Sequence, residues 1–196
     1  YMPQTGKQEN TIQFNYIIGD QLLNVKYRDG RKNFKLYKGA EKVFYNINSI
    51  IGYKDCIITE GEMDVLALHE AGITNAISVP NGATLHHNNL DYLDNCIDYF
   101  DDKEKIILAV DTDEPGLALK QELVRRLGAE VCFLVDFKDC KDANEYLIKY
   151  GKEKLKQTIT KARPYPLENV TTFKDIESDV KDFVTNGFKP GFQVGL

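Results

Sequence analysis

Cys56-Ile57-Ile58-Thr59-Glu60-Gly61-Glu62-Met63-Asp64 decides how the rest of the chain reads. Cys56 to Ile58 is a short apolar run with the character of a buried strand. Acid, glycine and acid follow at once, and Val65, Leu66, Leu68 and Ala71 then recur with helical spacing. Glu60 therefore falls where a strand ends and a helix of about 62–71 begins, the helix closing at Gly72. In open α/β sheets ligands bind in the crevice at the carboxyl ends of the strands.

The same rhythm continues downstream. Ala76–Val79 is a strand, followed by the loop Pro80-Asn81-Gly82-Ala83. A helix over about 87–100 would carry Leu90, Leu93, Ile97 and Phe100 on one face. Ile106–Val110 is a near-continuous apolar strand, as a sheet covered on both faces requires. The turn Asp111-Thr112-Asp113-Glu114-Pro115-Gly116 opens a helix that runs to Gly128. Val131–Val135 is a fourth strand, and the polar loop 139–144 leads into helices near 143–150 and 152–162. Strands separated by helices imply parallel pairing with right-handed crossovers. The breaker Arg163-Pro164-Tyr165-Pro166 marks a boundary. Beyond it Val170, Phe173, Ile176, Val180, Phe183 and Val184 form a helical stripe that needs a partner surface, and the stop at Leu196 has the look of a cut.

Upstream the pattern is different. Residues 1–10 are polar and are expected to fray. Thr11–Ile18 and Gln21–Tyr27 flank Gly19-Asp20, a two-residue hairpin signal, and Lys32–Tyr37 offers a third strand after the Asp29-Gly30 turn. Lys26, Arg28, Arg31, Lys32, Lys35, Lys38 and Lys42 crowd here with Tyr27, Phe34, Tyr37 and Tyr45. Interleaved cations and rings suit a nucleic-acid backbone and its bases. Lysines that keep a sheet edge from pairing with another chain give the same pattern. Three regions are thus expected: a basic β-rich subdomain over 1–50, an α/β domain over 51–163, and a linker helix with the start of a truncated further domain over 164–196.

The 196 residues, 42% hydrophobic and 28% charged, suit an ordinary globular chain with a substantial core. No apolar run reaches membrane-spanning length and no signal peptide is seen, so no membrane partner is expected. A net charge of −5 argues against a nucleic-acid-binding surface over the whole molecule, though not against a local basic face. Cys56, Cys96, Cys132 and Cys140 form no C-x2-C pair, which speaks against a zinc ribbon and for a reducing, cytoplasmic setting.

Acids recur at three strand ends: Glu60 and Asp64, then Asp111 and Asp113, then Asp142. Asp111 and Asp113 point the same way if the segment is extended. Helix dipoles alone favour acids such as Asp64, Asp113 and Glu114 at N-termini. Three strand ends together point instead to a hard divalent cation, Mg2+ or Mn2+, which relieves carboxylate repulsion. Such a site fits phosphoryl transfer. Glu60, if outside the ligand set, is placed as general acid or base. A calcium-loop frame from Asp111 fails because Pro115 removes a ligand and a strand precedes the loop.

Ile57 to Asp64 together with Asp111 to Gly116 resembles the TOPRIM domain of topoisomerases and primases. Lys26-Tyr27-Arg28, Phe44-Tyr45-Asn46, Ser78-Val79-Pro80-Asn81-Gly82-Ala83 and Lys141-Asp142-Ala143-Asn144-Glu145 are similar to the phage-type and Twinkle-like primase–helicases. The resemblance implies a Rossmann-like parallel sheet with flanking helices and DNA-directed synthesis of RNA primers from ribonucleoside triphosphates on single-stranded DNA. It implies Glu60 in catalysis and Asp111, Asp113 and Asp142 as metal ligands. It places Lys26, Arg28, Lys42, Asn81 and Lys141 against nucleotide or template, with Gly61, Asp64 and Asn144 in support. Asn144 stands where bacterial primases carry aspartate. A linked, hexameric helicase domain and a bacterial or phage-infected cytoplasm complete the expectation. No G-x-x-x-x-G-K-[ST] loop occurs in the sequence, so helicase ATP hydrolysis is not expected of this stretch. A metal-dependent TOPRIM nuclease and a non-catalytic DNA-binding or assembly module are the alternative readings.

Overall fold

A computed structural model of the chain describes residues 1–82 and 90–167, together with 177, 180–182, 184 and 185. Tyr1–Tyr165 and Pro166–Leu196 are two separate compact units. In the first unit the chain begins with a small antiparallel sheet of β1 (Thr11–Ile18), β2 (Gln21–Asp29) and β3 (Phe34–Leu36), in that spatial order. Gly19, at φ 57°, takes the left-handed turn that β1 and β2 need to pair. Residues 1–10 are anchored rather than frayed: Met2 is buried and bridges Lys7, and Gln4 Nε2 donates to the Phe34 carbonyl at 2.6 Å. An apolar side chain this early in the chain was enough to bind the segment down.

A single turn of 3-10 helix, Ile47–Ile50, leads to the second sheet. Its elements are β4 (Asp55–Thr59), α1 (Glu62–Glu70), β5 (Ala76–Ser78), α2 (Asp91–Asp94), β6 (Lys105–Ala109), α3 (Glu114–Leu127), β7 (Cys132–Leu134), α4 (Ala143–Tyr150), α5 (Lys152–Thr160) and β8 (Arg163–Pro164). The spatial order is β5-β4-β6-β7-β8. The first four strands are parallel, and β8 runs antiparallel to β7. Arg163-Pro164 therefore adds a short edge strand, followed by Tyr165 N–H donating to the Cys132 carbonyl at 2.8 Å. A proline is tolerated at such an edge.

Alternate strand residues feed two cores, which is why Cys56–Ile58 of β4 and Ile106–Ala109 of β6 are continuous apolar runs. Ile57, Ile107 and Ala109 pack with Val65 and Leu68 of α1 and with Leu155 and Ile159 of α5. Cys56, Ile58, Ile106 and Leu108 pack with Leu119 and Leu123 of α3, and also with Phe14, Tyr16 and Phe44 from the small-sheet region. The two sheets thus share one apolar cluster.

The helix expected over 87–100 is broken. Residues 83–89 lie outside the described residues, α2 covers only Asp91–Asp94, and a 3-10 turn spans Ile97–Phe100. Leu90, Leu93 and Phe100 are buried, but Ile97 is 40% exposed. Cys96 has left helical geometry (φ −123°, ψ 11°), and the Asn95 side chain donates to the Lys42 carbonyl, so the register of the apolar face is lost there.

In the second unit the described residues between 177 and 185 are helical, with Lys181 Nζ 2.7 Å from Glu177 Oε1. Val170, Phe173, Ile176 and Phe183 of the expected stripe, and the segment 188–196, lie outside the described residues.

Candidate active site

Each acid is placed by the way its strand passes into a helix. β4 ends at Thr59, whose hydroxyl donates to the Gly61 carbonyl at 3.1 Å, and Glu60 occupies the bend before α1. Asp64 lies in the first turn of α1, 6% exposed, and its Oδ1 accepts the Asn144 backbone N–H at 3.0 Å. A Cβ on Gly61 would sit 3.1 Å from Asp64 Oδ2. Asp111 follows β6. Asp113 caps α3, accepting the Gly116 N–H at 3.0 Å, and Asp142 caps α4, accepting the Glu145 N–H at 2.7 Å.

These elements bring the acids together. One carboxylate oxygen from each of Glu60, Asp111 and Asp113 lies within 4.8 Å of the others, and the same holds for Asp64, Asp111 and Asp142. Asp111 belongs to both groups. The donors are all hard oxygens, and opposite ligands of Mg2+ stand only about 4 Å apart, so this set suits a hard divalent cation. Gly116 permits the approach: a Cβ there would come within 2.3 Å of the Asp111 carbonyl oxygen.

The cost of this convergence is visible in the proton affinities. Burial, then the Asp142 charge, pushes the Asp64 carboxyl up to about 7. Burial also raises Asp111, opposed by its hydrogen bond to Lys141. The Gly116 N–H holds Asp113 below the usual carboxylate range. Lys141 Nζ lies 2.7 Å from Asp111 Oδ2 and 3.3 Å from Asp113 Oδ2, and the hydrogen bond to Asp111 raises its own proton affinity. Lys141 thus supplies a countercharge to the acids as well as a cation at the cleft.

An open cleft of about 450 Å3 lies over this cluster. Lys26, Phe34, Glu60, Gly61, Glu62, Asp64, Asn81, Asp111, Lys141 and Asp142 are among its lining residues. Lys26 is not a free cation. Its ammonium lies 2.8 Å from Glu62 Oε1 and donates to the Pro80 carbonyl at 2.9 Å, with the Phe34 ring centroid 4.8 Å away. Tyr16 O–H donates to the same Glu62 oxygen. Burial, then the Glu62 charge, keeps that phenol protonated far above its ordinary range. Glu62 and Tyr16 carry no signal in sequence beyond an acid after Gly61 and a tyrosine inside a strand. Arg28 and Lys42 are not among the cleft-lining residues, and Lys42 pairs with Asp91 at 3.4 Å. Asn144 contributes its backbone N–H to Asp64.

Residues 57–147 match the Toprim-like family model. The chain carries a Toprim-like domain. The Twinkle homolog protein of Arabidopsis thaliana chloroplasts and mitochondria is 34% identical over 206 residues, covering 95% of this chain and 29% of that protein. The primase homolog protein of the same plant is 39% identical over 178 residues, covering 82% of this chain and 53% of that protein. The solved primase fragment of the bacteriophage T7 primase-helicase superposes with a TM-score of 0.64 at 26% identity, over 74% of this chain and 60% of that one. The chain therefore spans less than two thirds of the length of each. The Toprim-like sheet, with helices on both faces, is the fold that the resemblance of Ile57–Asp64 and Asp111–Gly116 implied.

Proposed function

We propose that this chain is the RNA-synthesising part of a DNA primase, joining ribonucleotides on a single-stranded DNA template. The observation that carries the reading is the meeting of carboxylates from three strand ends at one cleft that Lys26 also lines. The relatives named as primases supply the reaction class.

In this reading Asp111 is the shared ligand, with Asp113, Asp142 and Asp64 around it, and the cation is Mg2+ or Mn2+. When bound, such an ion neutralises triphosphate charge and favours deprotonation of an attacking hydroxyl. Glu60, at the edge of the cluster, accepts the proton of the 3′-hydroxyl. The 3′-oxygen bonds to the α-phosphorus of the next nucleotide, the bond to the β-phosphate oxygen breaks, and pyrophosphate leaves. Lys26, Lys141 and Asn81 face the phosphates, while Arg28 and Lys42 lie farther out, towards template.

The β-rich region 1–50 offers a template surface. Phe34 and Tyr37 are 42% and 56% exposed, and Lys35 Nζ lies about 6 Å from the rings of Tyr27 and Tyr37. Cations beside exposed rings suit single-stranded bases. Region 51–163 then carries catalysis, and 164–196 joins it to a helicase domain that assembles as a hexamer. Four buried free cysteines fit a reducing compartment, cytoplasm or organelle interior. No helix among the described residues is long and apolar enough to cross a membrane.

Primer synthesis on single-stranded DNA with labelled ribonucleotides and Mg2+ or Mn2+ tests the proposal. Asp111→Asn should lower the yield at least ~100-fold, the scale of losing charge stabilisation at a phosphoryl centre. Equal yields from wild type and variant would end the reading. Metal-dependent DNA cleavage without nucleotides would favour the nuclease alternative. No metal binding by calorimetry would favour a DNA-binding or assembly module.

A further inference from the structure

We infer that Tyr16 and Glu62 are positioning residues that seat the Lys26 ammonium at the cleft wall, where it meets the phosphates of an incoming nucleotide. The inference rests on the primase reading of the cleft and adds two residues that act through a third.

The seat is built from distant parts of the chain. Tyr16 comes from β1, Lys26 from β2, Glu62 from the first turn of α1, and the Pro80 carbonyl from the loop after β5. The bonds span 46, 36 and 54 residues. They exist only when the small sheet is docked on the Toprim-like sheet. The Lys26 and Glu62 side chains are 10% and 4% exposed, so the pair is almost fully removed from water.

A buried ion pair is a poor stabiliser, because desolvation offsets its attraction unless the remaining donors and acceptors are satisfied. Here one Glu62 oxygen accepts from both Lys26 and Tyr16, and Lys26 donates a second time to Pro80. An ammonium has three donors. Two are committed to the protein, and Lys26 is itself a cleft-lining residue. The third donor serves the cleft. Packing alone would not require the Tyr16 hydroxyl: the ring is held edge-on against Tyr45 at 5.6 Å between centroids, which a phenylalanine would reproduce. What the hydroxyl adds is a fixed Glu62 carboxylate, and hence a fixed ammonium.

Tyr16→Phe in the whole chain is the decisive variant. It should stay folded, melting only a few degrees lower because Glu62 loses one donor, and weaken binding of a fluorescent ribonucleoside triphosphate about tenfold. In primer synthesis the loss should fall on the nucleotide KM more than on kcat. The second background is Lys26→Met with Glu62→Gln, which replaces the pair without stranding a charge. There Tyr16→Phe should alter nucleotide binding less than twofold, because nothing is left to position. An equal loss in both backgrounds makes Tyr16 merely structural and overturns the inference, as does no loss in wild type. Nucleotide binding reads the inference even in a background without turnover. Failure of wild type to make primers would count against the primase reading instead.

Discussion

The two walls of the cleft solve the problem of buried charge in opposite ways. On one side, Glu60, Asp64, Asp111, Asp113 and Asp142 gather like charges, and burial lifts Asp64 to about 7. On the other, Lys26 and Glu62 bring one charge of each sign, closed by Tyr16 and Pro80. The acidic wall has Lys141 as a countercharge to Asp111 and Asp113 and still carries an excess of negative charge that a divalent cation would neutralise. The paired wall is complete and owes its stability to both partners being present. The difference teaches where stability and function separate: substitutions in the first wall should harm chemistry more than folding, and in the second the reverse for any change that strands a charge.

The largest effect on folding should come from the paired wall. Lys26→Met leaves Glu62 buried without its cation and should cost about 3–5 kcal/mol in denaturant unfolding. Adding Glu62→Gln should recover most of that loss, because neither charge is then stranded. A single variant as stable as wild type would show that water reaches Glu62, and the contrast between the walls would collapse.

Gly116 sharpens the contrast from the other side. Helix propensity alone makes Gly→Ala stabilising by about 1 kcal/mol. The contact geometry predicts the opposite sign, because the new Cβ would meet the Asp111 carbonyl oxygen, a backbone atom, at 2.3 Å. Overpacking against backbone should destabilise the protein by about 1–3 kcal/mol and displace Asp111, so metal affinity falls too. A gain in stability with unchanged metal binding would place Asp111 farther from α3 than the cleft requires.

Much of this was legible before any coordinates. The apolar runs of β4 and β6 and the acids after them announce a two-sided parallel sheet with ligands at its carboxyl end, since periodicity and burial are local properties of sequence. The convergence of Glu60, Asp64, Asp111 and Asp142 followed from that topology. The Tyr16–Glu62–Lys26 seat did not, because it depends on how two sheets dock across dozens of residues. Lys26 read only as one of a crowd of basic residues for the same reason: its partner Glu62 is invisible in one dimension. β8 is two residues long and owes its strand geometry to β7, not to its own pattern. The break at Cys96 was hidden because Leu90, Leu93, Ile97 and Phe100 keep helical spacing across it.

The acidic wall should also mark the pH dependence of stability. Asp64 binds its proton more tightly folded, near 7, than unfolded, near 3.8. Its contribution is neutral below about pH 4, where both states are protonated. It becomes destabilising as pH rises towards 7 and is constant above that. Asp111 is raised as well and acts with the same sign. Asp113, Asp139 and Glu122 are shifted down, so their stabilisation is lost only on acidification below about 4 and leaves the neutral range clear. Metal-free protein should melt a few degrees lower at pH 8 than at pH 5.5, on a scale of about 2–4 °C per kcal/mol. Asp64→Asn should flatten the profile, and Mg2+ should reverse its slope by favouring the carboxylate. A flat wild-type profile without metal would mean that Asp64 is solvated.

The smallest effect isolates one charge. Asp142 has two tasks: it caps α4 through the Glu145 N–H, and it stands among the carboxylates around Asp111. Asparagine caps a helix about as well as aspartate, so Asp142→Asn keeps the first task and removes the second. Alanine would remove both and cost about 1 kcal/mol for the lost cap. With asparagine, folding stability at neutral pH should change by no more than about 0.5 kcal/mol, upward, as one repulsion disappears. The Asp64 midpoint, read from carboxyl resonances or from the pH dependence of melting, should move down, because the Asp142 charge is the largest contribution after burial. Metal affinity should fall at the same time. If the midpoint stays near 7, burial alone sets it, Asp142 is a cap and nothing more, and the acidic wall is smaller by one member.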